Sequence, residues 1–469
     1  MSAFSVWRDD LVRRLRSAGL AKDDRGSVAI MFALTIFIVF TLVGGAVDLG
    51  RAMVARERLQ SAVDSSVLAA ARVWQLENDL TLAEEKALAH FDTNKPVEDS
   101  RVVSFTPDMQ AATFTMVGET TVKTPFLSLV RQSITVSTRG QALIAGGGNA
   151  GTNLEVSMML DITGSMGGSK ITDLKAAAKD LVDIVVWADQ SEFTSRVALA
   201  PFSAAINAGS VLGPQVAYNP SSSLTFKQRS GGNSTRYRTS TYCLAERTGA
   251  HAFTDAAPTG TDKIPRAYQT GSSTACIPAS PIVPLTSDKA SLKTVIDGFA
   301  ANGNTAGHLG TAWAWYLLSP NWANVFATGS KPAAYSMLTQ TGEKGQPLLK
   351  KVAVLMTDGE YNQQYCNSTT PTTAGAMIPD YDTGTSGANC KSPNGTSTQQ
   401  ARSMCVSMKA AGITVYTVGF EVGQTGDAVD TLRGCASEPY MFYNTTTGDE
   451  LRNAFRHIAT SIAAPIISR

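Results

Sequence analysis

The chain has 469 residues, and 40 Lys and Arg residues nearly balance 39 Asp and Glu residues, so that the formal charge is +1. This length exceeds one small domain and suits one large domain with a smaller part. The balanced charge and the absence of a Lys/Arg-rich block argue against nucleic acid as a partner.

A stretch of 21 uncharged residues, 27–47, is the first element along the chain. It is long enough as a helix to cross roughly 30 Å of hydrocarbon. Basic residues are more frequent in 1–26 than after the stretch, which predicts a cytoplasmic N-terminus and a single transmembrane helix. A signal peptide cleaved near Gly44-Gly45-Ala46 and a buried core helix are the alternatives, but the stretch is long for the former and has no polar face as the latter would.

Residues 48–145 predict a helix followed by a small sheet. Apolar residues recur at spacings of three and four on one helical stripe: Leu59, Val63, Val67, Ala70 and Trp74. The helical pattern ends at Asn94-Lys95-Pro96. Alternating β-branched runs at 102–105, 112–117 and 133–138 predict strands. The stripe is expected to pack on these strands, or on a partner helix in an oligomer. The Gly-rich residues 146–151 read as a linker.

From residue 152 to 469, apolar strand patterns alternate with amphipathic helical patterns. Strands are predicted at 154–160, 196–202, 351–356 and 414–420, and helices at 170–187, 293–300, 307–318, 398–411 and 449–462. This alternation predicts an α/β domain with a mostly parallel sheet that is covered by helices on both faces. Ligand sites in such sheets lie beyond the carboxyl ends of the strands. Asp161 and Asp358 both fall at such ends.

The segment after the first of these strands carries oxygen-bearing side chains at alternate positions: Asp161, Thr163 and Ser165. Gly164 lets the backbone turn between them. Carboxylates and hydroxyls are hard ligands of the kind that Mg²⁺ accepts. The pattern therefore predicts a divalent-cation site, with Mn²⁺ and Ca²⁺ as alternatives to Mg²⁺.

Asp161-x-Thr163-x-Ser165 resembles the DxSxS motif of von Willebrand factor A domains, the metal-ion-dependent adhesion site. Thr357-Asp358-Gly359 resembles the family's TDG, and the segment around Thr305 resembles the loop that bears its single threonine. The resemblance implies a Rossmann-like von Willebrand factor A fold. It also implies that Thr163 and Ser165 bind the cation directly, Thr305 directly or through water, and Asp161 and Asp358 mainly through water. A partner protein's carboxylate would complete the coordination. A site that serves only the stability of the fold is the alternative.

Other residues near these segments receive a structural interpretation. His308 is expected to be a surface or capping residue, Glu360 a solvated loop acid, and Trp313 and Trp315 packing residues. Ser165 lacks the G-x-S-x-G elbow and a paired histidine, so it is not expected to be a hydrolase nucleophile.

The six cysteines all lie after residue 242, and none forms a C-x-x-C pair. An even number in one region favours disulfides in an oxidising compartment, with reduced, buried thiols in a cytosolic protein as the alternative. Compared with the resembled domain, the chain has excess residues at about 210–285 and 360–398, which predict two insertions. Nearest-neighbour pairing then predicts the following bonds: Cys243–Cys276, Cys366–Cys390 and Cys405–Cys435.

The N-terminal part carries a second resemblance. Asp24-Arg25-Gly26-Ser27 with the apolar run after it, Val47-Asp48-Leu49-Gly50-Arg51, and residues 59–71 resemble TadE/TadG-like proteins of tight-adherence (Flp-type) pilus systems. Met31 stands where processed pseudopilins of that group carry Glu, so the chain resembles the longer TadG-like member, which keeps its anchor.

This resemblance implies a bacterial inner-membrane protein whose main domain is periplasmic. It would help to assemble or anchor a Flp-type pilus by binding a pilus or envelope protein, without catalysis. A surface adhesin for external or host ligands is the first alternative. A metal-dependent enzyme or chelatase accessory is the second, although no nucleotide-binding loop or His/Glu catalytic cluster is evident.

Overall fold

A computed structural model describes residues 25–77, 79–108, 113–128, 131–143, 152–218, 222–228, 230–238, 240–268, 276–342, 346–367, 376–380 and 391–463. The predicted cytoplasmic segment 1–26 lies almost wholly outside this description, and so does the predicted linker 146–151.

The N-terminal part consists of two helices and a three-stranded antiparallel sheet. Its elements are α1 (Arg25–Glu77), α2 (Leu80–Asn94), β1 (Arg101–Asp108), β2 (Thr113–Lys123) and β3 (Ser133–Leu143). The three predicted strands are confirmed. The prediction of one helix up to Asn94 is wrong in one respect, because a second helix begins after Asp79, whose carboxylate accepts a hydrogen bond from the Leu82 N–H at 3.0 Å.

The predicted apolar stripe of α1 packs on this chain's own sheet. Leu59, Val63 and Val67 are fully buried together with residues of α2, β2 and β3. Two strand glycines allow the helix to approach closely, since a Cβ atom on Gly118 or Gly140 would lie 2.7 or 2.8 Å from a Val63 methyl group.

The larger part follows, and its strands and helices alternate as predicted. Its elements in chain order are β4 (Asn153–Asp161), α3 (Ser169–Val185), β5 (Ser195–Phe202), β6 (Ile206–Asn207), α4 (Gly209–Val216), β7 (Ser223–Lys227), β8 (Asn233–Tyr237), β9 (Cys243–Leu244), β10 (Arg266–Ala267), β11 (Val283–Thr286), α5 (Lys289–Asp297), α6 (Gly307–Tyr316), β12 (Leu349–Thr357), β13 (Gln364–Asn367), β14 (Ala376–Asp380), α7 (Ser397–Ala410), β15 (Thr414–Phe420), α8 (Asp427–Cys435), β16 (Phe442–Thr445) and α9 (Gly448–Ile462). The helix predicted at 293–300 lies a few residues earlier, as α5, because Asp288 caps its N-terminus.

The central sheet has the strand order β11-β5-β4-β12-β15-β16. All neighbours are parallel except β11, which runs antiparallel to β5 at one edge. Counted along the chain, this order is 3-2-1-4-5-6, the doubly wound arrangement of Rossmann-like α/β folds. The order reverses between β4 and β12, so the crevice where such folds bind ligands lies at the carboxyl ends of these two strands.

Both faces of the central sheet are covered by helices, as predicted. Val156, Met158 and Leu160 of β4 pack under α3, α5 and α9, whereas Met159 packs on the opposite side with α6 and α7. Trp313 and Trp315 of α6 are buried in this second core, so their predicted packing role is confirmed. Strands that are apolar on both faces explain why β4 and β12 read as continuous apolar runs.

The two predicted insertions meet in one accessory sheet. Its order is β13-β14-β10-β9-β6, so that β14 of the second region pairs with β10 of the first, and β6, which precedes the first region, forms one edge. Two of the three predicted disulfides are confirmed, Cys243–Cys276 and Cys405–Cys435. Cys366 is also disulfide-bonded, and its predicted partner, Cys390, lies outside the described residues.

Candidate metal centre

The carboxyl ends of β4 and β12 bring two carboxylates to the same edge of the sheet. Asp161 is the last residue of β4, and Asp358 follows the last residue of β12. The strands are parallel neighbours with Met159 opposite Leu355, so their ends meet at the point where the strand order reverses. Both side chains are buried.

Hydrogen bonds join four of the five predicted site residues. The Ser165 hydroxyl donates to Asp358 Oδ1 at 2.7 Å and lies 2.9 Å from Thr163 Oγ1. Asp161 Oδ1 accepts from the Thr163 N–H at 2.9 Å, and Asp161 Oδ2 accepts from the Thr357 hydroxyl at 2.6 Å. The loop between β4 and α3 is therefore folded around the Asp161 carboxylate and is hydrogen-bonded to the end of β12. Ser165 is exposed, whereas Thr163 is buried.

Thr305 lies in the loop that precedes α6, and this loop adjoins the Asp161–Ser165 segment. Gly303 O in this loop accepts from the Gly164 N–H at 2.8 Å, which joins it to the Asp161–Ser165 segment. The Thr305 backbone is held on its other side by Asn362, whose side chain accepts from the Thr305 N–H at 2.9 Å and whose N–H donates to Thr305 O at 3.0 Å. Among the described contacts, the Thr305 hydroxyl makes no hydrogen bond to the other four site residues.

The charges at the centre do not balance. Lys170, near the start of α3, contacts both Asp358 Oδ2 and Glu421 Oε2 at 3.1 Å. Partial burial acts to lower the pKa of Lys170, but its hydrogen bonds to these two acids outweigh this and raise it above the usual value. With Asp161, the cluster has three carboxylates and one ammonium group, a net of two negative charges.

Asp161 has a raised pKa, and its causes are burial and the neighbouring carboxylate. Burial first, and the nearby Asp358 second, raise the pKa of this carboxyl to about 6 despite hydrogen bonds that lower it. The described residues contain no group of three or more His, Cys, Asp or Glu side chains suited to a metal. What the centre offers is two carboxylates and three hydroxyls, a hard oxygen set that fits a cation retaining several waters, such as Mg²⁺. The residues present therefore fit the predicted ion.

His308 is placed differently from the prediction of a surface or capping residue. It is fully buried, with Nε2 2.5 Å from Glu246 Oε2 and Nδ1 2.6 Å from Ser397 Oγ. The reason is that the accessory sheet covers the start of α6, and Glu246 belongs to that insertion. All three side chains are shielded from solvent, so the trio joins the insertion to the scaffold and presents no accessible nucleophile. Glu360 is exposed, as predicted.

Several residues of the centre were missed by the sequence reasoning. Lys170 bridges Asp358 and Glu421, and Asn362 binds the Thr305 backbone. Thr357 was named as part of a motif, but its hydrogen bond to Asp161 was not predicted. Glu421 could have been predicted from the sequence, because it directly follows β15, as Asp358 directly follows β12. It is also the one non-glycine residue with a positive φ, 58°, in the described part of the chain, a conformation that side chains rarely adopt without support.

Comparisons with known proteins add the following. Residues 26–73 match the family model described as "Putative Flp pilus-assembly TadE/G-like", so this segment is similar to pilus-assembly proteins, as predicted. No curated protein sequence matches the chain.

Among solved structures, the vWF domain of the type V pili tip protein Mfa5 from Porphyromonas gingivalis is 15% identical, with a TM-score of 0.36 over 66% of this chain and 95% of that one. The pilus adhesin SpaC from Lactobacillus rhamnosus GG is 10% identical, with a TM-score of 0.35 over 78% and 34%. Proximal thread matrix protein 1 from the mussel byssus, with a zinc-occupied MIDAS motif, is 13% identical, with a TM-score of 0.30 over 67% and 48%. The chain thus spans about a third of SpaC and about half of the mussel protein. At TM-scores below 0.5, these likenesses lend no support to a particular function.

Proposed function

We propose that this protein is a membrane-anchored, non-enzymatic component of a Flp-type pilus system that docks a partner protein through a divalent cation. The cation would be held by Asp161, Thr163, Ser165, Thr305 and Asp358. The observation that carries this proposal is the hydrogen-bonded cluster of carboxylates and hydroxyls at the strand-order reversal, with its uncompensated negative charge.

The anchor in this proposal is the first half of α1. Among the described residues, Ile30–Trp74 is the one helical segment long and apolar enough to cross a membrane, and most large apolar side chains from Val28 to Val47 are exposed. The basic residues before this stretch favour a cytoplasmic N-terminus. Disulfides in the larger part favour an oxidising compartment. The proposed location is therefore the bacterial inner membrane, with the α/β part in the periplasm. The pilus role is supported by the family match at residues 26–73.

The proposed docking uses the exposed side of the centre. When bound, the ion supplies positive charge that attracts a carboxylate. Ser165 is the site residue most open to solvent, and it carries a hydroxyl already directed at Asp358. Asp161 and Thr357 lie deeper and fix the loop that presents Ser165. Mg²⁺ is the expected ion, because the oxygen donor set is small and Mg²⁺ is usually bound by few protein oxygens while it keeps several waters.

Cation binding is tested by calorimetry on the full chain in detergent, titrated with MgCl₂ or MnCl₂. We expect one site in the wild-type protein and none after Asp161→Ala. Ser210→Ala, at the start of α4 and away from the centre, is the control and should bind like the wild type. Equal binding by the wild type and Asp161→Ala would refute the assignment.

Docking is tested by cross-linking in cells, with and without a chelator. We expect an envelope or pilus protein to be captured with the wild-type chain and to be lost after chelation or with Ser165→Ala. Capture that is indifferent to both treatments would show that the cation does not mediate docking.

Cell fractionation tests the anchor, because recovery of the intact chain outside the inner membrane would contradict the proposed location.

The accessory sheet is proposed to select the partner. The second insertion leaves directly from the β12 end, and its first residues hold the Thr305 loop. We expect that replacing residues 368–389 with a short Gly–Ser linker, which retains Asn362 and Cys366, preserves cation binding and lowers partner capture. Unchanged capture would show that this insertion has no part in selection.

A further inference from the structure

A short apolar turn between β2 and β3 lies against α1 near the end of the uncharged stretch. The closest contacts involve Phe126 and Leu127 of the turn and two helix glycines. A Cβ atom on Gly44 would lie 2.5 Å from Phe126 Cβ, and one on Gly45 would lie 3.2 Å from Leu127 Cδ2. The glycine pair thus provides the space in which the turn approaches the helix.

A buried carboxylate fixes the turn in this place. Asp48, one helical turn beyond Gly44, is fully buried and accepts hydrogen bonds at Oδ2 from the N–H groups of Phe126 at 3.0 Å and Leu127 at 2.9 Å. Its Oδ1 has no partner among the described residues. Because burial of a carboxylate is unfavourable without such bonds, Asp48 and the turn depend on each other for a stable arrangement.

The turn exposes apolar surface where the helix does the same. Phe126 remains 52% exposed although its backbone is fixed. Leu42 and Val43, on the adjacent part of α1, are 69% and 61% exposed. Gly44 lies three residues before the end of the uncharged stretch, or about 5 Å along the helix axis. This depth corresponds to the boundary between lipid headgroups and acyl chains, where aromatic side chains are favoured.

The charged residues around the turn suit the same boundary. Lys123 precedes the turn and Arg131 follows it, and both are exposed. Long basic side chains beside an apolar segment can reach lipid phosphates while their stems lie along apolar surface. The pattern of an apolar tip with basic flanks is thus complementary to a phospholipid surface that contains anionic lipids.

We propose that the Phe126–Leu127 turn is a second membrane contact, inserted into the interfacial layer of the phospholipid bilayer that holds α1. This proposal rests on the membrane anchor of the proposed function. It assigns Asp48, Gly44 and Gly45 the role of holding the turn at the membrane surface. The N-terminal part is then fixed to the bilayer at two points, the helix and the turn, so that it cannot tilt freely relative to the membrane.

The test uses tryptophan reporters in the full chain, reconstituted into vesicles of phosphatidylethanolamine and phosphatidylglycerol with acyl chains brominated both near the headgroup and near the methyl end. Phe126→Trp reports the turn. Phe37→Trp, in the middle of the uncharged stretch, reports the anchor. Val103→Trp, an exposed position on β1 about 15–20 Å from the turn along the strands, is the control. The signal of the wild-type tryptophans is subtracted from each.

We expect bromine to reduce the Phe126→Trp and Phe37→Trp signals at least twofold more than the Val103→Trp signal. Quenching of Phe37→Trp without quenching of Phe126→Trp would overturn this inference alone, for example because a protein covers the turn. Absence of quenching at Phe37→Trp would overturn the anchor and the inference with it.

A second variant tests the role of the glycine pair. Gly44→Val places a side chain where Phe126 now packs, so we expect it to lower quenching of Phe126→Trp to the control level while quenching of Phe37→Trp persists. Undiminished quenching at Phe126→Trp in this background would refute the role given to the helix in holding the turn.

Discussion

Replacement of Asp161 by Asn should stabilise the metal-free protein and abolish its stabilisation by a cation. Asp161 is completely buried, and burial together with Asp358 raises the pKa of its carboxyl from 3.8 to about 6. One pKa unit corresponds to about 1.4 kcal/mol, so holding Asp161 ionised in the folded state costs about 3 kcal/mol at pH 8. A neutral amide removes this cost. The amide cannot accept both hydrogen bonds that Asp161 accepts from Thr163 and Thr357. This loss destabilises the variant by about 1–2 kcal/mol and offsets part of the gain.

The sign of the pH dependence follows from the raised pKa. Between about pH 4 and pH 6, the folded state binds more protons at Asp161 than the unfolded state does. The wild-type protein therefore loses stability relative to Asp161→Asn as the pH rises through this window, and the difference is complete above about pH 7. The net gain of the variant there is about 1–2 kcal/mol, or about 2–4 °C in Tm.

The assay is thermal unfolding of the full chain in detergent, at pH 5 and pH 8, with a chelator or with MgCl₂. At a hundredfold excess over Kd, the cation should stabilise the wild type by about 2.7 kcal/mol and the variant not at all, so their order reverses. Glu192→Gln, in an exposed loop, is the control and should follow the wild type. A lower Tm for Asp161→Asn than for the wild type in chelator at pH 8, or equal stabilisation of both proteins by Mg²⁺, would contradict this prediction.

Three further results are expected. Thr163→Val keeps the shape of the side chain but removes its hydroxyl, so Mg²⁺ affinity measured by calorimetry should fall at least tenfold. Mutation of residues that only hydrogen-bond to metal ligands already lowers metal affinity by about tenfold or more. Gly118→Val forces a side chain against Val63, where a Cβ atom alone would be 2.7 Å from a methyl group, so amide hydrogen exchange in β2 should accelerate with a destabilisation of about 1–3 kcal/mol. Conversion of Cys405 and Cys435 to Ala opens a disulfide with a sequence separation of 30, and the α/β part should lose about 3–4 kcal/mol by chain entropy, measured as a lower urea midpoint.

Each of these expectations has a matched control. Thr163→Ser retains the hydroxyl and should bind Mg²⁺ nearly as well as the wild type; if it loses as much as Thr163→Val, the hydroxyl is not the cause. Gly50→Ala adds a Cβ atom with nothing within 4 Å and should leave exchange in β2 unchanged. For the disulfide, reduction of the wild-type protein should lower the urea midpoint further than it lowers that of the double variant. Equal midpoints for the oxidised wild type and the variant would contradict the predicted contribution.

The ends of β4 and β12, where the centre lies, could be predicted because they depend on the local pattern of apolar residues. A strand buried on both faces must be apolar at successive positions, so β4 and β12 stand out from the sequence, and the acids Asp161 and Asp358 mark their ends. The edge strands β11 and β16 were missed because they have four residues each, and Pro284 in β11 reads as a break although an edge strand tolerates it.

What could not be predicted depends on contacts between distant segments. The Gly164–Gly303 hydrogen bond and the hold of Asn362 on Thr305 join segments that only the folded sheet brings together. The burial of His308 depends on Glu246, which is 62 residues away in an insertion with no regular pattern. The break near residue 78 did have a local signal, since Asp79 is a favoured helix N-cap, but the apolar pattern continues on both sides of it.

The buried charges at the two ends of the central strands differ, and the difference supports the proposed cation. At the amino ends of β4 and β12, the buried Glu155 is paired with Lys351 and Arg196 and also accepts a hydrogen bond from the Ala333 N–H at 2.9 Å. Buried charges that serve a fold are expected to be paired in this way. At the carboxyl ends of the same strands, Asp358 shares one partly exposed lysine, Lys170, with Glu421, and the described contacts pair Asp161 with no cationic side chain. A site kept for stability alone would be expected to resemble the Glu155 end, whereas the excess of negative charge at the other end is what a cation would neutralise.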